Sequence, residues 1–345
     1  MTDAFDPPPT GTEGRSAAEL ESMPQLGITG LSAGSQPFPH EHPTPGAELG
    51  APDAHGMGGE VKGQLRIVIE RFSHQPLAMG GLIVFAFLGI SSAVIGHVWQ
   101  FTFSQITNQY ATGPTSLHPF GTDDIGHDLF AQVMRGVEKD IQTALLVAVI
   151  AMFIGTTIGA IAGFYRGFAD NLLMRFVDLV LSVPILAVLI VLGHLVSRQA
   201  GNWFWVAIII GVLAWTYVAR LVRADFLSLR ERDFVEAARA LGATNRRIIL
   251  RHMLPNAIGP IIVNATLTVA TSVILESTLS YLGLGIQPPE VSLGSLVASG
   301  QDAATTQWWL FVFPAGLLII LILSIFLVGD GLREALDPKK TRVRA

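Results

Sequence analysis

The sequence predicts an all-α membrane protein with six transmembrane helices. Half of the 345 residues are hydrophobic and only 14% are charged, whereas a soluble domain usually has about 25% charged residues. The mean hydropathy of the chain is +0.49. Six apolar segments each approach the roughly 20 residues that are needed to cross a bilayer core. A polar stretch, residues 233–260, separates the fourth segment from the fifth.

The first 60 residues are predicted to form a disordered cytoplasmic tail. They are rich in Pro, Gly, Ser and acidic residues, and Arg15 is the only Lys or Arg among them. Such a composition buries too little apolar surface to offset the entropy cost of ordering the chain. The histidines of this tail, including His40 and His42, have no fixed backbone to hold a ligand set, so we predict no metal site there.

Residues 61–76 are predicted to form an amphipathic helix that lies on the membrane surface. The apolar residues Leu65, Val68, Ile69 and Phe72 share one face at helical spacing, and charged residues lie largely on the other face. The alternative is that this segment is simply the cytoplasmic beginning of the first span.

The transmembrane permease domain is predicted over residues 77–330, and a cytoplasmic tail is predicted over residues 331–345. Tryptophans such as Trp99 and Trp203 lie at the ends of apolar segments, where interfacial aromatic residues are common. The six predicted spans are Leu77–Trp99, Thr143–Phe164, Leu173–Val196, Trp203–Val222, Ala257–Leu275 and Trp309–Val328.

Lys and Arg residues concentrate in alternate connections, and this pattern predicts the orientation of the spans. Basic residues precede the first span, follow the second, surround the polar stretch and follow the sixth, whereas the other set of connections holds only Arg135, Lys139 and Arg198. The connection between the fifth and sixth spans contains none. The basic side is expected to be cytoplasmic, so both termini and the polar stretch are predicted to face the cytoplasm.

The polar stretch predicts a helix, a turn and a second helix. Asp233 can cap the first helix, and Glu236 can reach back to it in a capping box. Gly242 lies where a left-handed residue is needed after the first helix. Thr244 can cap the second helix, and Pro255 is predicted to end that helix because proline lacks a backbone N–H group.

This polar stretch resembles the cytoplasmic EAA loop of ABC-importer permeases, a coupling helix that docks on the ATPase subunit. The resemblance implies an ATPase-coupling role for the residues that match its pattern, which are Glu236, Ala237, Ala238, Gly242, Leu254 and Pro255. Arg239, Arg246 and Arg247 become candidates for contact with the ATPase surface. The sequence around His252, Arg-His-x-Leu-Pro-Asn, is similar to the dipeptide, oligopeptide and nickel branch of the family. The alternative is a generic amphipathic loop helix.

Two further segments resemble motifs of peptide permeases. Residues 118–128 are similar to a motif containing Gly-Thr-Asp-x-x-Gly-Arg-Asp, with His127 in place of the usual arginine. Residues 276–289 are similar to a motif in which an acid precedes Leu-Ser-Phe-Leu-Gly-Leu-Gly, with Tyr281 in place of phenylalanine. The acidic residues and His127 of the first segment also permit a metal site, but a turn followed by a helix cap is favoured.

Glu276, Ser280 and Tyr281 are candidates for the substrate path. Glu276 is the acid that lies deepest in an apolar setting on the predicted outer side, so its carboxylate could meet a substrate amine. The alternative is that Glu276 accepts hydrogen bonds in the turn, from Ser280 or from Ser277.

Two features of the spans predict packing within the membrane. Gly155, Gly159 and Gly163 recur every four residues in the second span, and small residues let helices approach closely in lipid. This face is expected to pack inside the subunit or against a partner subunit. Asp178 in the third span is predicted to form a structural ion pair, with Arg175 as its partner or else Arg166.

The resemblance covers roughly residues 61–338 and implies a type I ABC importer fold. It implies a permease subunit of a bacterial inner or plasma membrane that passes peptides delivered by an extracytoplasmic binding protein. The implied partners are a second permease subunit, one or two cytosolic ABC ATPase subunits, the binding protein and membrane lipid, with no nucleic acid.

We predict no catalytic residue, no metal site and no bound cofactor in this chain. It has no Gly-x-x-x-x-Gly-Lys-Ser/Thr motif, so ATP and Mg²⁺ are expected to be used by the partner ATPase subunits.

Import of nickel or of another small solute is the alternative within the family. Outside the family, an ion-coupled secondary transporter would use Asp178 and Glu276 as intramembrane acids, and a receptor or scaffold would need no EAA-like loop.

Overall fold

The structure is a computed structural model that describes residues 64–197 and 203–336. The predicted tail over residues 1–60, and the C-terminal tail beyond residue 336, lie outside the described residues. The described backbone is almost entirely helical, with isolated β-bridges between residues 106 and 128. The helices are α1 (Gln64–Ser73), α2 (Pro76–Val98), α3 (Leu129–Tyr165), α4 (Gly167–Ser182), α5 (Ile185–Ser197), α6 (Trp203–Arg230), α7 (Asp233–Ala240), α8 (Asn245–Arg247), α9 (Leu254–Tyr281), α10 (Leu293–Gln301) and α11 (Trp309–Leu336), with a π-helical segment (Ile248–Met253) between α8 and α9.

Five of these helices are long and apolar enough to cross a membrane, or up to six if the bent pair of α4 and α5 is counted as one span. With that pair included, the number agrees with the six predicted spans. The connections group at two ends of the bundle. We call the end that carries residues 99–128 and 282–308 the loop end, and the end that carries α7 the α7 end. The helix α1 lies within the predicted amphipathic segment, and its position on a membrane stays a prediction.

The third span differs from the single helix that is predicted over Leu173–Val196. It is broken after Ser182, and α4 and α5 are bent by 74° relative to each other. Pro184 lies at the break. Proline lacks an N–H group and disfavours helical geometry at the preceding residue, here Val183, so the helix cannot run through this point without a bend.

Pro255 does not end a helix, which corrects the sequence prediction. The backbone is helical without interruption from Asn245 to Tyr281, through the π-helical segment. At the end of that segment the N–H of Leu254 donates to the carbonyl oxygen of Ile249, five residues earlier. After this wider π-helical turn the α-helical hydrogen-bond pattern begins again, and Pro255 occupies the first turn of α9. A residue in the first turn of a helix does not need its N–H group for the helix, so proline is tolerated there.

The most extensive helix packing joins α3 to α6, and it includes the spaced glycines of the second span. A Cβ atom placed on each of these glycines would come within 2.6 Å of an α6 atom, and the pairs are Gly155 with Val218, Gly159 with Ala219, and Gly163 with Phe226. Real Cβ atoms essentially never approach other atoms so closely, so glycine is required at these positions. The contacts lie within one chain, which places this face inside the subunit.

Four apolar cores lie along the bundle in the described residues, and two of them lie toward its ends. One core, toward the loop end, includes Val137 of α3, Val273 of α9 and Leu321 of α11. The other, at the α7 end, includes Phe226 of α6 and Val235 of α7. The second core therefore attaches the short helix α7 to the ends of the long helices α3 and α6.

We expect the substitution Gly159→Ala to lower the free energy of unfolding by about 1–3 kcal/mol, the usual cost of overpacking. The added methyl group would meet the backbone carbonyl oxygen of Ala219 at 2.5 Å, and a backbone atom cannot yield as a flexible side chain can. The matched control is Gly80→Ala, where the new Cβ meets no atom within 4 Å. Thermal unfolding in detergent measures both, and an equal effect of the two substitutions would contradict the packing role.

Candidate functional site

The helix α7 begins at Asp233 rather than after it, which corrects the predicted cap. The residue before the helix is Arg232, and no side chain caps this helix end. Asp233 and Glu236 instead lie in the first turn, where carboxylates interact favourably with the positive end of the helix dipole. The predicted capping box is therefore absent, although both acids remain at the N-terminus of the helix.

The turn after α7 is fixed by Gly242, as predicted. Its φ angle is +76°, in the left-handed region that favours glycine. The N–H of Gly242 donates to the carbonyl oxygen of Arg239 at 2.9 Å, and the N–H of Ala243 donates to that of Ala238 at 3.0 Å. This hydrogen-bond pattern is a Schellman motif. Thr244 then caps α8 by accepting a hydrogen bond from the N–H of Arg247 at 3.4 Å, which confirms the second predicted cap.

One face of α7 is buried and the other is exposed. Val235 is fully buried and Ala238 is 7% exposed, and both belong to the core at the α7 end. The exposed residues among the predicted coupling set are Glu236, Ala237, Arg239, Gly242, Arg246, Arg247 and Pro255, whereas Leu254 is partly buried. Leu241, at the C-terminus of α7, is 88% exposed. Most of the coupling candidates are thus exposed on the surface of the α7 end, and the exposed apolar residue Leu241 lies at the tip of α7.

Arginines hold this surface against the end of α3. The guanidinium carbon of Arg239 lies 5.8 Å from the ring centroid of Phe164, and that of Arg230 lies 5.9 Å from it. Arg230 Nη1 also donates to the carbonyl oxygen of Phe164 at 2.6 Å. No sequence signal assigns Arg230 or Phe164 to the site, because their contact forms only when the ends of α3 and α6 come together.

Ion pairs connect α4 to α6 beside this surface. Asp170 accepts two hydrogen bonds from Arg223, at 2.5 and 2.7 Å. Asp178 pairs with Arg220 at 2.5 Å, so the predicted pair of Asp178 with Arg175 is wrong. Arg220 projects from the facing helix and reaches the carboxylate, and the sequence alone does not show which α6 residue faces α4.

Arg166, the other predicted partner of Asp178, pairs instead with Glu231. The two side chains are 2.7 Å apart, and this contact joins the turn after α3 to the segment before α7. Asp170 is buried, whereas the pairs of Asp178 with Arg220 and of Arg166 with Glu231 are exposed, and such surface pairs typically contribute about 0–1 kcal/mol each. They align the helix ends with little effect on overall stability.

At the loop end, two of the three substrate-path candidates are buried. Glu276 is 0% exposed and Ser280 is 2% exposed, whereas Tyr281 is 42% exposed. Ser280 Oγ donates to Glu276 Oε1 at 2.6 Å, and the N–H of Ile286 donates to Ser280 Oγ at 2.9 Å. The structure therefore contains the hydrogen bonding within the turn that was one of the two interpretations of Glu276. The substrate-path role stays a prediction, and for Glu276 and Ser280 it requires this packing to open.

The segment before α3 forms a turn and a helix cap, as favoured from the sequence. Asp123 Oδ1 accepts hydrogen bonds from the N–H groups of three residues, which are Ile125, Gly126 and His127. Asp128 caps α3 by accepting from the N–H of Ala131 at 2.7 Å. The other oxygen of Asp128 lies 2.6 Å from Nδ1 of the buried residue His118. His118 lies in the same sequence motif, but its pairing with Asp128 was not predicted.

A cavity of about 540 Å³ opens at the loop end between residues 103–132 and 288–310. Glu290 on its wall accepts hydrogen bonds from Arg135 at 2.7 and 2.9 Å, and Lys139 Nζ lies 3.6 Å away. Burial acts to raise the pKa of Glu290, but the hydrogen bonds and positive charge of Arg135, helped by Lys139, hold that pKa below its usual range. Glu290 is therefore ionised at neutral pH. No sequence motif pointed to it.

Comparison with known proteins supports the same interpretation as the motifs. Residues 155–342 match the family described as binding-protein-dependent transport system inner membrane component. The chain is 37% identical to the oligopeptide transport system permease protein OppC of Mycobacterium tuberculosis, over 83% of this chain and 98% of that protein. It is 35% identical to OppC of Bacillus subtilis, over 85% of this chain and 95% of that protein.

The fold is similar to that of a solved importer. An inward-facing structure of the MetNI methionine ABC transporter contains a chain that matches with a TM-score of 0.50 at 23% identity, over 61% of this chain and 98% of that one. At this identity the likeness shows the fold alone. Together with the family match and the near full-length relatives, it confirms the resemblance found in the sequence. The chain belongs to the binding-protein-dependent transport system inner membrane component family, and it is a multi-pass permease subunit of an ABC importer, a transport component rather than an enzyme.

Proposed function

We propose that this chain is one of two permease subunits of an importer that moves peptides inward across the membrane. The observation that carries the peptide assignment is the similarity to oligopeptide permeases over nearly their whole length. The motifs at residues 118–128 and 276–289 support the same branch of the family. In this proposal an extracytoplasmic binding protein delivers the peptide, and separate cytosolic subunits hydrolyse ATP.

We place the α7 end in the cytoplasm and the loop end outside. The two long segments of the loop end, residues 99–128 and 282–308, contain no Lys or Arg. The α7 end carries many, including Arg220, Arg223 and Arg230. An excess of Lys and Arg in short connections is typical of the cytoplasmic side. This orientation puts both termini, and α7, on the side where ATP is available.

We propose that the exposed face of α7, with Leu241 at its tip, is the surface that docks on the ATPase subunit. Leu241 is 88% exposed, but single exposed apolar side chains are common on protein surfaces, so the docking role is supported by the resemblance of residues 233–260 to the EAA loop. The opposite face is fixed to the core by Val235, which is fully buried. A movement of the docked ATPase would therefore be transmitted through Val235 and Phe226 to the end of α6, rather than being absorbed by a flexible loop.

We expect Gly242→Val to abolish ATP-driven uptake while leaving the chain inserted in the membrane. A Cβ at this position meets no atom within 4 Å, so the defect arises from the positive φ angle, which a β-branched residue adopts poorly. The turn would then change and Leu241 would be displaced. Uptake by membrane vesicles, normalised to the amount of assembled complex, measures the effect.

The matched control for that substitution is Gly242→Asn, since asparagine tolerates the left-handed region much better than valine does. It should retain most of the uptake, although it adds a side chain of comparable size. Equal activity of the valine and asparagine variants, at equal expression, would show that the shape of this turn is not needed for coupling.

The peptide assignment predicts that cells with the assembled importer take up a labelled oligopeptide, and that unlabelled peptides compete for this uptake. Uptake should stop when cytosolic ATP is depleted while the ion gradient is maintained. Competition by nickel complexes but not by peptides would contradict the peptide assignment. Uptake that follows the ion gradient and survives ATP depletion would contradict the importer mechanism itself.

A further inference from the structure

Two carboxyl groups are enclosed together inside the bundle, near the loop end. Asp140 of α3 and Glu276 of α9 are both 0% exposed. Both residues lie beside the start of α10, because Asp140 Oδ2 accepts a hydrogen bond from the N–H of Leu293, the first residue of α10, at 3.3 Å and the next residue, Gly294, packs on Ser277, which follows Glu276. The pair therefore joins three helices at one point.

No basic side chain neutralises this pair within residues 64–197 and 203–336. On α3, Arg135 and Lys139 are directed to Glu290, and Arg135 also pairs with Glu138. Glu276 is the only titratable group on α9 between Asn256 and Tyr281, and α10 contains none. The side chain of His194, at the end of α5 beside the same turn, is exposed. The surroundings thus supply hydroxyl and N–H donors but no compensating charge.

Two like charges in a water-excluded site strongly disfavour each other, and each also loses its hydration. One positive charge must accompany the pair for it to remain buried. The simplest source is a proton from water, which leaves the pair with one negative charge and makes one carboxyl group a hydrogen-bond donor. Carboxylate pairs that share one proton occur elsewhere for the same electrostatic reason.

The hydrogen bonding at the site independently indicates a missing donor. Asp140 Oδ1 is buried and has no hydrogen-bond partner among the described residues. Buried polar atoms are rarely left without a partner. A carboxyl proton on Glu276 would supply this donor. The hydroxyl of Thr143, one turn further along α3, is likewise buried without a partner in the described part of the chain.

The site also fastens the turn and helix that follow α9. Glu276 binds Ser280, and Ser280 in turn accepts from the backbone of Ile286, which fixes the Gly-Leu-Gly turn. Packing around the site is tight, because a Cβ on Gly294 of α10 would lie 2.4 Å from the carbonyl oxygen of Ser277. Residues 282–301 are thus held against α3 and α9 by the polar contacts of this site and its close-packed surroundings, together with the pairs that Glu290 forms with Arg135 and Lys139.

We propose that Asp140 and Glu276 form a proton-binding site, and that the one proton they share holds residues 282–301 closed against α3 and α9. When the proton leaves to water, two carboxylates remain in contact and repel each other. The contact between α3, α9 and α10 then opens, and water reaches the pair. The site is distinct from the coupling surface of α7, and its action does not depend on which solute the importer carries.

The direct test is infrared difference spectroscopy of the assembled importer in lipid nanodiscs, recorded against pH. A protonated carboxyl group has a C=O stretching band that is separate from the carboxylate bands. We expect one such band at neutral pH in the unmodified protein. It should be lost in both Asp140→Asn and Glu276→Gln, which keep the shape of the side chains, and retained in the control Glu290→Gln. A band that survives in both single variants, or is absent from the unmodified protein, would overturn the proposal.

Hydrogen exchange of residues 282–301 tests the closing role. If the closed state holds one proton more than the open state, opening becomes about tenfold more favourable for each unit of pH rise until the proton is lost. Asp140→Asn should keep the segment protected and remove this dependence, because the amide donates without titrating. The variant and the unmodified protein are compared at the same pH, because the intrinsic rate of amide hydrogen exchange itself depends on pH. The same pH dependence in the variant would contradict the proposal.

A bound sodium ion is the alternative to a proton as the source of the positive charge that accompanies Asp140 and Glu276. Replacing sodium by choline at constant pH should leave both the infrared band and the exchange rates unchanged. If the protonated band appears only when sodium is removed, the site binds a metal cation and the assignment of a proton is overturned.

Discussion

Three glycines of α3, spaced four residues apart, bring its backbone against α6, and the rest of the structure depends on this contact. At Gly163 the approach places the end of α3 beside Phe226, and these residues form the base on which α7 packs. The same alignment allows Arg230 to reach the carbonyl oxygen of Phe164. The coupling surface is therefore attached to the longest packed helix pair in the subunit, so a force applied to α7 acts on helices rather than on a loop.

The two ends of the bundle are held by different physical means. At the α7 end, partly exposed pairs such as Asp178 with Arg220 connect α4 to α6, and water screens their interaction. At the loop end, the polar contacts around Glu276 are excluded from water, where a change in one charge has a much larger energetic effect. The apolar core that contains Val235 and Phe226 also holds the α7 end together. At the loop end, we propose that the strength of the contact between Asp140 and Glu276 depends on the proton that they share.

Local sequence signals predicted local structure well, and contacts between distant segments poorly. The six apolar segments, the left-handed turn at Gly242 and the close approach at Gly159 follow from composition, backbone sterics and side-chain size. The sequence did not predict that the helix continues through Pro255, because the π-helical segment that accommodates the proline has no sequence signal of its own. It also did not predict that Arg220 is the partner of Asp178, since that depends on the rotation of α6 about its axis. The pairing of Asp140 with Glu276 could not be predicted either, because 135 residues separate the two and neither is exposed.

We propose that α7, with Leu241 at its tip, transmits ATPase movement to α6. The chain has no cysteine, so the substitution Leu241→Cys introduces a single reactive thiol. A short cross-linker that joins this thiol to lysine should link the chain to the ATPase subunit in the assembled importer. The control Thr306→Cys, at the exposed loop end, should form no such link. Failure of Leu241→Cys to cross-link in a complex that still performs ATP-driven uptake would contradict the account.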